Sequence, residues 1–263
     1  MRQPGTEPVT LEERCRAYAT VMPHGMFFSH TTAAELYGLP LPKALCGVVH
    51  VAAARPRRAP RAAGIVRHRV TLEPDAVRDL AGLPVPPPVE VLCELAPMLD
   101  HDSLVQLGDA LLRRTDPFTT AAELRETVDA AVGRPGIPRL RTALEAVRAR
   151  TDSPMETVLR LAIVRGGLPE PHVNYRVDLG EHAAHLDLAY PDRRIAIEYD
   201  GDHHRTNARQ FHLDVDRLWR IEAGGWRIVR VNRSHLTAGA TEAVTRIRLA
   251  LATVGRNTPL PGW

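Results

Sequence analysis

The chain has 263 residues, 44% of them hydrophobic, and a formal net charge of +3, which suggests about two soluble domains. No apolar run approaches the roughly 18 residues a membrane-spanning helix needs. The opening stretch MRQPGTEPVTLEERC carries acids where a signal peptide would be apolar, so a cytoplasmic protein with no membrane partner is expected.

The first predicted elements are helical. Thr10 is placed to cap a helix over LEERCRAYAT, and Ser29 or Thr31 to cap a second through Glu35, with Gly38 and Pro40 stopping it. This helix–turn–helix, ending SHTTAAELYGLPLP (29–42), resembles the winged-helix module of abortive-infection-type antitoxin proteins. The resemblance implies a DNA-binding type of fold; a purely structural helical domain is the alternative. Cys15, Cys46 and Cys93 are far apart and lack CxxC spacing, so they read as free thiols.

GVVHVAAA and GIVRHRV read as short strands around an arginine-rich link. Lys43 is the only lysine among the 34 cationic residues, so this link is built from arginine, whose planar fork binds phosphate bidentately. Arg55, Arg57, Arg58 and Arg61, followed by Arg67 and Arg69, have no acid among them. They are the expected nucleic-acid contacts if this loop tracks phosphates as a wing; a solvated loop is the plain alternative. GLPVPPP (82–88) reads as a stiff connector. Helices follow: Leu104, Leu107 and Leu111 have the spacing of a buried face, and Thr119 or Thr120 caps a further helix that Gly133 stops. In RLRTALEAVRAR, Leu140, Leu144 and Val147 point inward. The expected division is a winged-helix-like region over 1–115, a helical connector over 116–150 and a second domain over 151–263.

The second domain carries the chemistry. Ser153-Pro154-Met155-Glu156 has the form of a capping box, followed by a buried stripe of Met155, Val158, Leu159, Ala162 and Ile163. VNYRVDLG, HLDLAY and RIAIEYD read as strands, the last two joined by a turn at Pro191-Asp192. Regular alternation places His185, Asp187 and Ala189 on one face of the first of these two. It places Ala196, Glu198 and Asp200 on one face of the second, opposite Ile195, Ile197 and Tyr199. In a hairpin, Asp187 then lies beside Glu198 and Asp200. Three carboxylates on one patch repel strongly at low dielectric and call for a cation. Oxygen donors without a nearby cysteine favour Mg²⁺ or Mn²⁺ over zinc. The expected metal ligands are Asp187, Glu198 and the backbone carbonyl of Tyr199. A helix over 210–222 follows, with Asp214 and Arg217 one turn apart. Trp226 is then the packing anchor of the strand GGWRIVRV, and TEAVTRIRLALATV is the closing helix.

The order helix-Glu, strand-Asp, turn, strand-Glu-x-Asp, helix, strand resembles the PD-(D/E)xK nuclease superfamily, and within it the bacterial domains related to very-short-patch-repair endonucleases. The resemblance covers roughly the last 110 residues and rests on SPMETVLRLAIVRGGLPEP (153–171), HLDLAY (185–190), IAIEYDGDHH (195–204) and DVDRLWRIEAGGWRIVRV (214–231). It implies an α/β fold, with a restriction-endonuclease-like α/β/α core and a mixed sheet, alongside the mainly helical winged-helix-type N-terminal region. It also implies a catalytic set of Glu156, Asp187 and Glu198. Asp200 departs from the pattern, which has lysine there, and no other lysine lies in this domain. The expectation is that Asp200 is an extra metal ligand or orients a histidine, and that His204, with His203 beside it, supplies proton transfer. Arg205 and Arg217 are the expected phosphate contacts of this domain.

Two functions are open at this point. One is a Mg²⁺- or Mn²⁺-dependent DNA endonuclease with an N-terminal targeting or regulatory module, a homodimer if both strands are cut. The other is a non-catalytic nucleic-acid-binding regulator or antitoxin-like protein with a degenerate nuclease fold. No P-loop pattern is present to suggest a nucleotide-dependent phosphotransferase.

Overall fold

The computed structural model describes residues 10–55, 61–180, 182–201 and 208–254. The chain forms two compact units. One runs to Leu112 and takes in Asp116–Val147; the other is Arg148 onward together with Arg113–Thr115. Residues 116–147, expected as a connector, are thus part of the first unit.

The first unit contains α1 (Leu11–Ala19), β1 (Met26–Phe28), α2 (His30–Leu36), β2 (Val49–Ala54), β3 (Ile65–Val70), β4 (Arg78–Leu80), β5 (Leu83–Val85), α3 (Pro88–Leu95), α4 (His101–Leu111), α5 (Ala121–Ala130) and α6 (Ile137–Ala146). Thr10 and Thr120 each close a capping box, with Glu13 and Glu123. Leu104, Leu107 and Leu111 are fully buried, as their spacing requires. Among the described residues the unit is mainly helical, with short strands besides. β1 lies antiparallel to β2, and β2 lies parallel to β3. Parallel strands cannot be the two arms of a hairpin, so β2 and β3 do not form a hairpin wing around the arginine-rich link. GLPVPPP is more than a connector: Leu83–Val85 pairs with β4 and buries Leu83 and Val85, and Pro88 opens α3.

The second unit contains α7 (Pro154–Arg165), β6 (His172–Leu179), β7 (His182–Tyr190), β8 (Ile195–Asp200), α8 (Ala208–Ala223), β9 (Arg227–Asn232) and α9 (Thr241–Val254). Its four-stranded sheet has the order β6-β7-β8-β9. The first three strands are antiparallel neighbours, and β9 is parallel to β8. The parallel pair follows from the crossover through α8, which ends at Gly224-Gly225. Gly225 has a φ of 79°, in the left-handed region open to glycine, and the turn lets the Trp226 N–H bond back to the Ile221 carbonyl.

Both faces of this sheet are covered. Leu159 and Ile163 of α7 and Ala243, Ile247 and Ala250 of α9 pack on Leu188, Ile195, Ile197, Val229 and Val231. On the other face Ile221 of α8 and Trp226 pack on Val177, Leu186 and Ala196. Trp226 is the packing anchor the sequence suggested, its ring 5.8 Å from that of Tyr175. Ile197 is fully buried between these layers. Ile197→Ala should cost about 2–5 kcal/mol, read from urea unfolding. A loss under about 1 kcal/mol would place Ile197 outside a close-packed core. Among the described residues, no helix is long and apolar enough to cross a membrane.

Candidate functional site

The site is built around a break in strand alternation. On β6, Val173 packs with the α7/α9 face, but Tyr175 and Val177 pack with the α8 face. On β7, Leu188 and Tyr190 face α7/α9, whereas Ala184 and Leu186 face α8. Both strands therefore change face at one step, Asn174 opposite Asp187, where the register runs from Val173–Leu188 to Tyr175–Leu186. Asn174 takes a left-handed backbone there, with a φ of 47°, a conformation asparagine tolerates better than most side chains. The regular alternation expected across His185, Asp187 and Ala189 does not hold at this point. Asp187 is set where the pleat reverses.

The consequence is seen between β7 and β8. Their ladder runs from Tyr190–Ile195 to Leu188–Ile197. Beyond it the Tyr199 N–H donates to Asp187 Oδ2 at 2.8 Å. The Asp187 side chain thereby links the two strands just past the end of their ladder.

Glu156 and Glu198 flank it. Glu156 comes from α7 and is 4% exposed; Glu198 comes from the β8 face that meets α8 and is 5% exposed. Burial, and then the charge of Asp187, push the Glu156 carboxyl up to about 8. The same two causes push Glu198 up to about 7, against the opposing pull of Arg217. Asp187 is thus the shared electrostatic neighbour of both glutamates. Ser153 caps α7 by accepting from the Glu156 N–H, while Glu156 Oε2 accepts from the Asp152 N–H at 3.0 Å, one residue before the cap. Asp152 is in turn held by Arg114 Nε at 2.9 Å and by Asn174 Nδ2 at 2.9 Å. The residue that breaks the pleat beneath Asp187 therefore also steadies the segment that orients Glu156. Sequence reading gave neither Asp152 nor Asn174 a part in the site; the only available signal was an asparagine in the middle of a strand.

Glu198 Oε2 accepts from Arg217 Nη2, and Arg217 Nη1 donates to the His185 carbonyl at 2.9 Å. Arg217, expected at phosphate, is an ion-pair partner inside the acid cluster. Asp200 pairs with Arg230 at 2.7 Å, with both side chains largely exposed. Asp200 does not join the other three carboxylates. His203, His204 and Arg205 lie outside the described residues, as do Arg57 and Arg58. Arg55 and Arg61 are exposed, in the first unit.

Among the described residues, no three His, Cys, Asp or Glu side chains converge closely enough to hold an ion as they stand. The donor chemistry nevertheless fits a hard cation. The carboxylates supply only oxygen donors, and the two buried glutamates are raised in pKa by burial and then by the charge of Asp187. Glu198 Oε1 is buried and has no hydrogen-bond partner among the described residues. A cleft of about 550 Å³ elsewhere on this unit, lined by Leu168, Glu170, Tyr190, Arg193 and Arg248 among others, does not include the cluster.

A pH dependence follows. Folded Glu156 stays protonated to about pH 8, whereas its unfolded counterpart ionises near 4.5. Between those values the unfolded state binds fewer protons. The stability from keeping this group neutral is present in full below about pH 4.5 and is lost as pH rises towards 8. Glu156→Gln removes that loss. Its stability relative to the parent should rise between about pH 5 and about pH 8, by on the order of 1–3 kcal/mol, in thermal melts without divalent cations. An unchanged difference would mean that Glu156 is not held neutral.

The first unit holds a second buried polar group. The His30 and His68 rings stack with centroids 3.5 Å apart, His50 Nδ1 lies 2.9 Å from His68 Nε2, and the His30 N–H donates to Glu94 Oε2 at 2.8 Å. Burial first lowers His30 to about 3 and His68 to about 4, and it raises Glu94 to about 8. Burial therefore favours the neutral form of these groups, and their contacts with one another make the cluster an internally bonded packing element.

No family model matches the chain. It is 27% identical over 201 residues to two Mycobacterium tuberculosis proteins, "Uncharacterized protein Rv2248" and "Uncharacterized protein MT2308", covering 76% of this chain and 72% of each of theirs. No solved structure matches.

Proposed function

We propose that the second unit is a metal-dependent phosphodiester hydrolase acting on DNA, with Asp187, Glu198 and Glu156 as its acidic site. One observation carries this reading. Asp187 sits at a reversal of the pleat, with a buried glutamate on either side whose pKa it raises. Folding tolerates such repulsion most readily where a cation relieves it in the working state. The mixed four-stranded sheet covered by helices on both faces supports the PD-(D/E)xK reading, as does the element order α7, β6-β7-β8, α8, β9. Asp187, Glu198 and the Tyr199 carbonyl would hold Mg²⁺ or Mn²⁺, which when bound polarises a phosphate oxygen and acidifies a water. Glu156 stays protonated near neutral pH unless a cation lowers its pKa, and once ionised it can accept a proton from water. Asp187 also fixes the Tyr199 backbone through its N–H. The proton-transfer role of His204 and the phosphate contacts of Arg55, Arg57, Arg58, Arg61 and Arg205 belong to this proposal, as do a homodimer and a cytoplasmic setting.

A second reading, a non-catalytic nucleic-acid-binding regulator, is favoured by one feature. Arginines already neutralise Glu198 and Asp200, and no lysine stands in this unit. One experiment separates the two. The full chain is incubated with supercoiled, linear and mismatched DNA in Mg²⁺, Mn²⁺ or EDTA. The hydrolase reading expects nicked or linear product with a divalent cation and none in EDTA. Retarded but intact DNA under every condition supports the regulator.

A further inference from the structure

The cation already in the acid cluster belongs to the protein. Arg217 reaches from α8 to Glu198 Oε2 with one nitrogen and to the His185 carbonyl with another. The two partners differ in their access to water: the Glu198 side chain is 6% exposed and that of Arg217 is 34% exposed. Glu198 is fixed within the fold, whereas the guanidinium sits at its edge, on a long flexible stem. The pair is also one-sided, because Glu198 Oε1 has no partner among the described residues. Asp187 adds its field to that of Glu198 at Arg217, so the arginine answers to the same two carboxylates as the expected metal.

We propose that Arg217 is an exchangeable internal cation, neutralising Glu198 in the metal-free protein and giving way when a divalent cation binds between Asp187 and Glu198. This rests on the metal-binding reading above. Two like-signed cations cannot share one buried carboxylate pair at close range without repulsion. Metal entry therefore includes the cost of breaking the arginine pair. Removing Arg217 should strengthen metal binding. It should also weaken the metal-free fold, because Glu198 is left buried and unpaired. An arginine that merely props up the site would shift both quantities downward together.

The test is Mn²⁺ titration calorimetry with thermal melts in EDTA, on the full chain and on Arg217→Met and Arg217→Lys. Arg217→Met should bind Mn²⁺ about tenfold more tightly or better, melt lower in EDTA and gain more in melting temperature from Mn²⁺ than the parent does. Arg217→Lys, whose compact ammonium cannot span Glu198 and the His185 carbonyl together, should also bind more tightly than the parent. It serves as the deciding variant if Arg217→Met does not fold. Parent binding with equal or weaker binding in the variants would overturn the exchange and leave the metal reading standing. Absence of binding in parent and variants alike would overturn both.

Discussion

Asp187→Asn and Glu198→Gln should each lower divalent-dependent DNA cleavage by about 10²–10⁴-fold while leaving the protein folded. Each amide keeps the size of the side chain and an accepting oxygen. The asparagine of Asp187→Asn can therefore still take the Tyr199 N–H that Asp187 accepts at 2.8 Å. What each substitution removes is negative charge. That charge is a liability to the metal-free fold, because burial and the Asp187 charge hold both Glu156 and Glu198 well above the usual carboxylate range. Asp187→Asn should therefore hold or raise the metal-free melting temperature at neutral pH while removing activity. Activity loss with retained stability separates a chemical role from a folding defect. Full activity in Asp187→Asn would remove this residue from the site, and with it the centre of the cluster.

The second large effect concerns the first unit. Neutralising Arg55, Arg57, Arg58 and Arg61 together by alanine should weaken DNA binding by the full chain. It should also flatten the dependence of log affinity on log salt by up to about 3.6, since each lost phosphate contact lowers the slope by roughly 0.9. Arg55 and Arg61 are exposed, so their loss carries little stability cost. An unchanged slope would assign DNA contact to the second unit alone. The parallel pairing of β2 and β3 bears on the form of such an interface: any phosphate contact comes from the connection between strands and the edge of β3, where Arg67 and Arg69 are exposed, and not from a hairpin tip.

Much of the second unit was legible from residues alone because its signals are local. Ser153 and Pro154 mark the start of α7, the apolar alternation in 195–199 marks β8, and Gly224-Gly225-Trp226 marks the turn into β9. The pleat reversal was not legible. A period of two predicts unbroken alternation through Asp187, and the interruption depends on Asn174 in the neighbouring strand adopting a positive φ. The expected trio of Asp187, Glu198 and Asp200 was drawn from strand faces. In the fold the third carboxylate of the group is Glu156, while Asp200 turns to Arg230. The Arg217–Glu198 pair joins residues 19 apart across a crossover, a separation that leaves no pattern in the chain. In the first unit, β1, β4 and β5 are three residues each, too short to show a period. The stacked histidines of 30, 50 and 68 come from three different elements.

Whether these carboxylates form a divalent-cation site is a question crystallography can answer. Crystals of the full chain soaked in Mn²⁺ should give an anomalous difference peak bounded by Asp187, Glu198 Oε1 and the Tyr199 carbonyl, with the Arg217 guanidinium moved off Glu198. At saturating Mn²⁺, the absence of a peak there, with Arg217 still paired to Glu198, would contradict the metal-site reading.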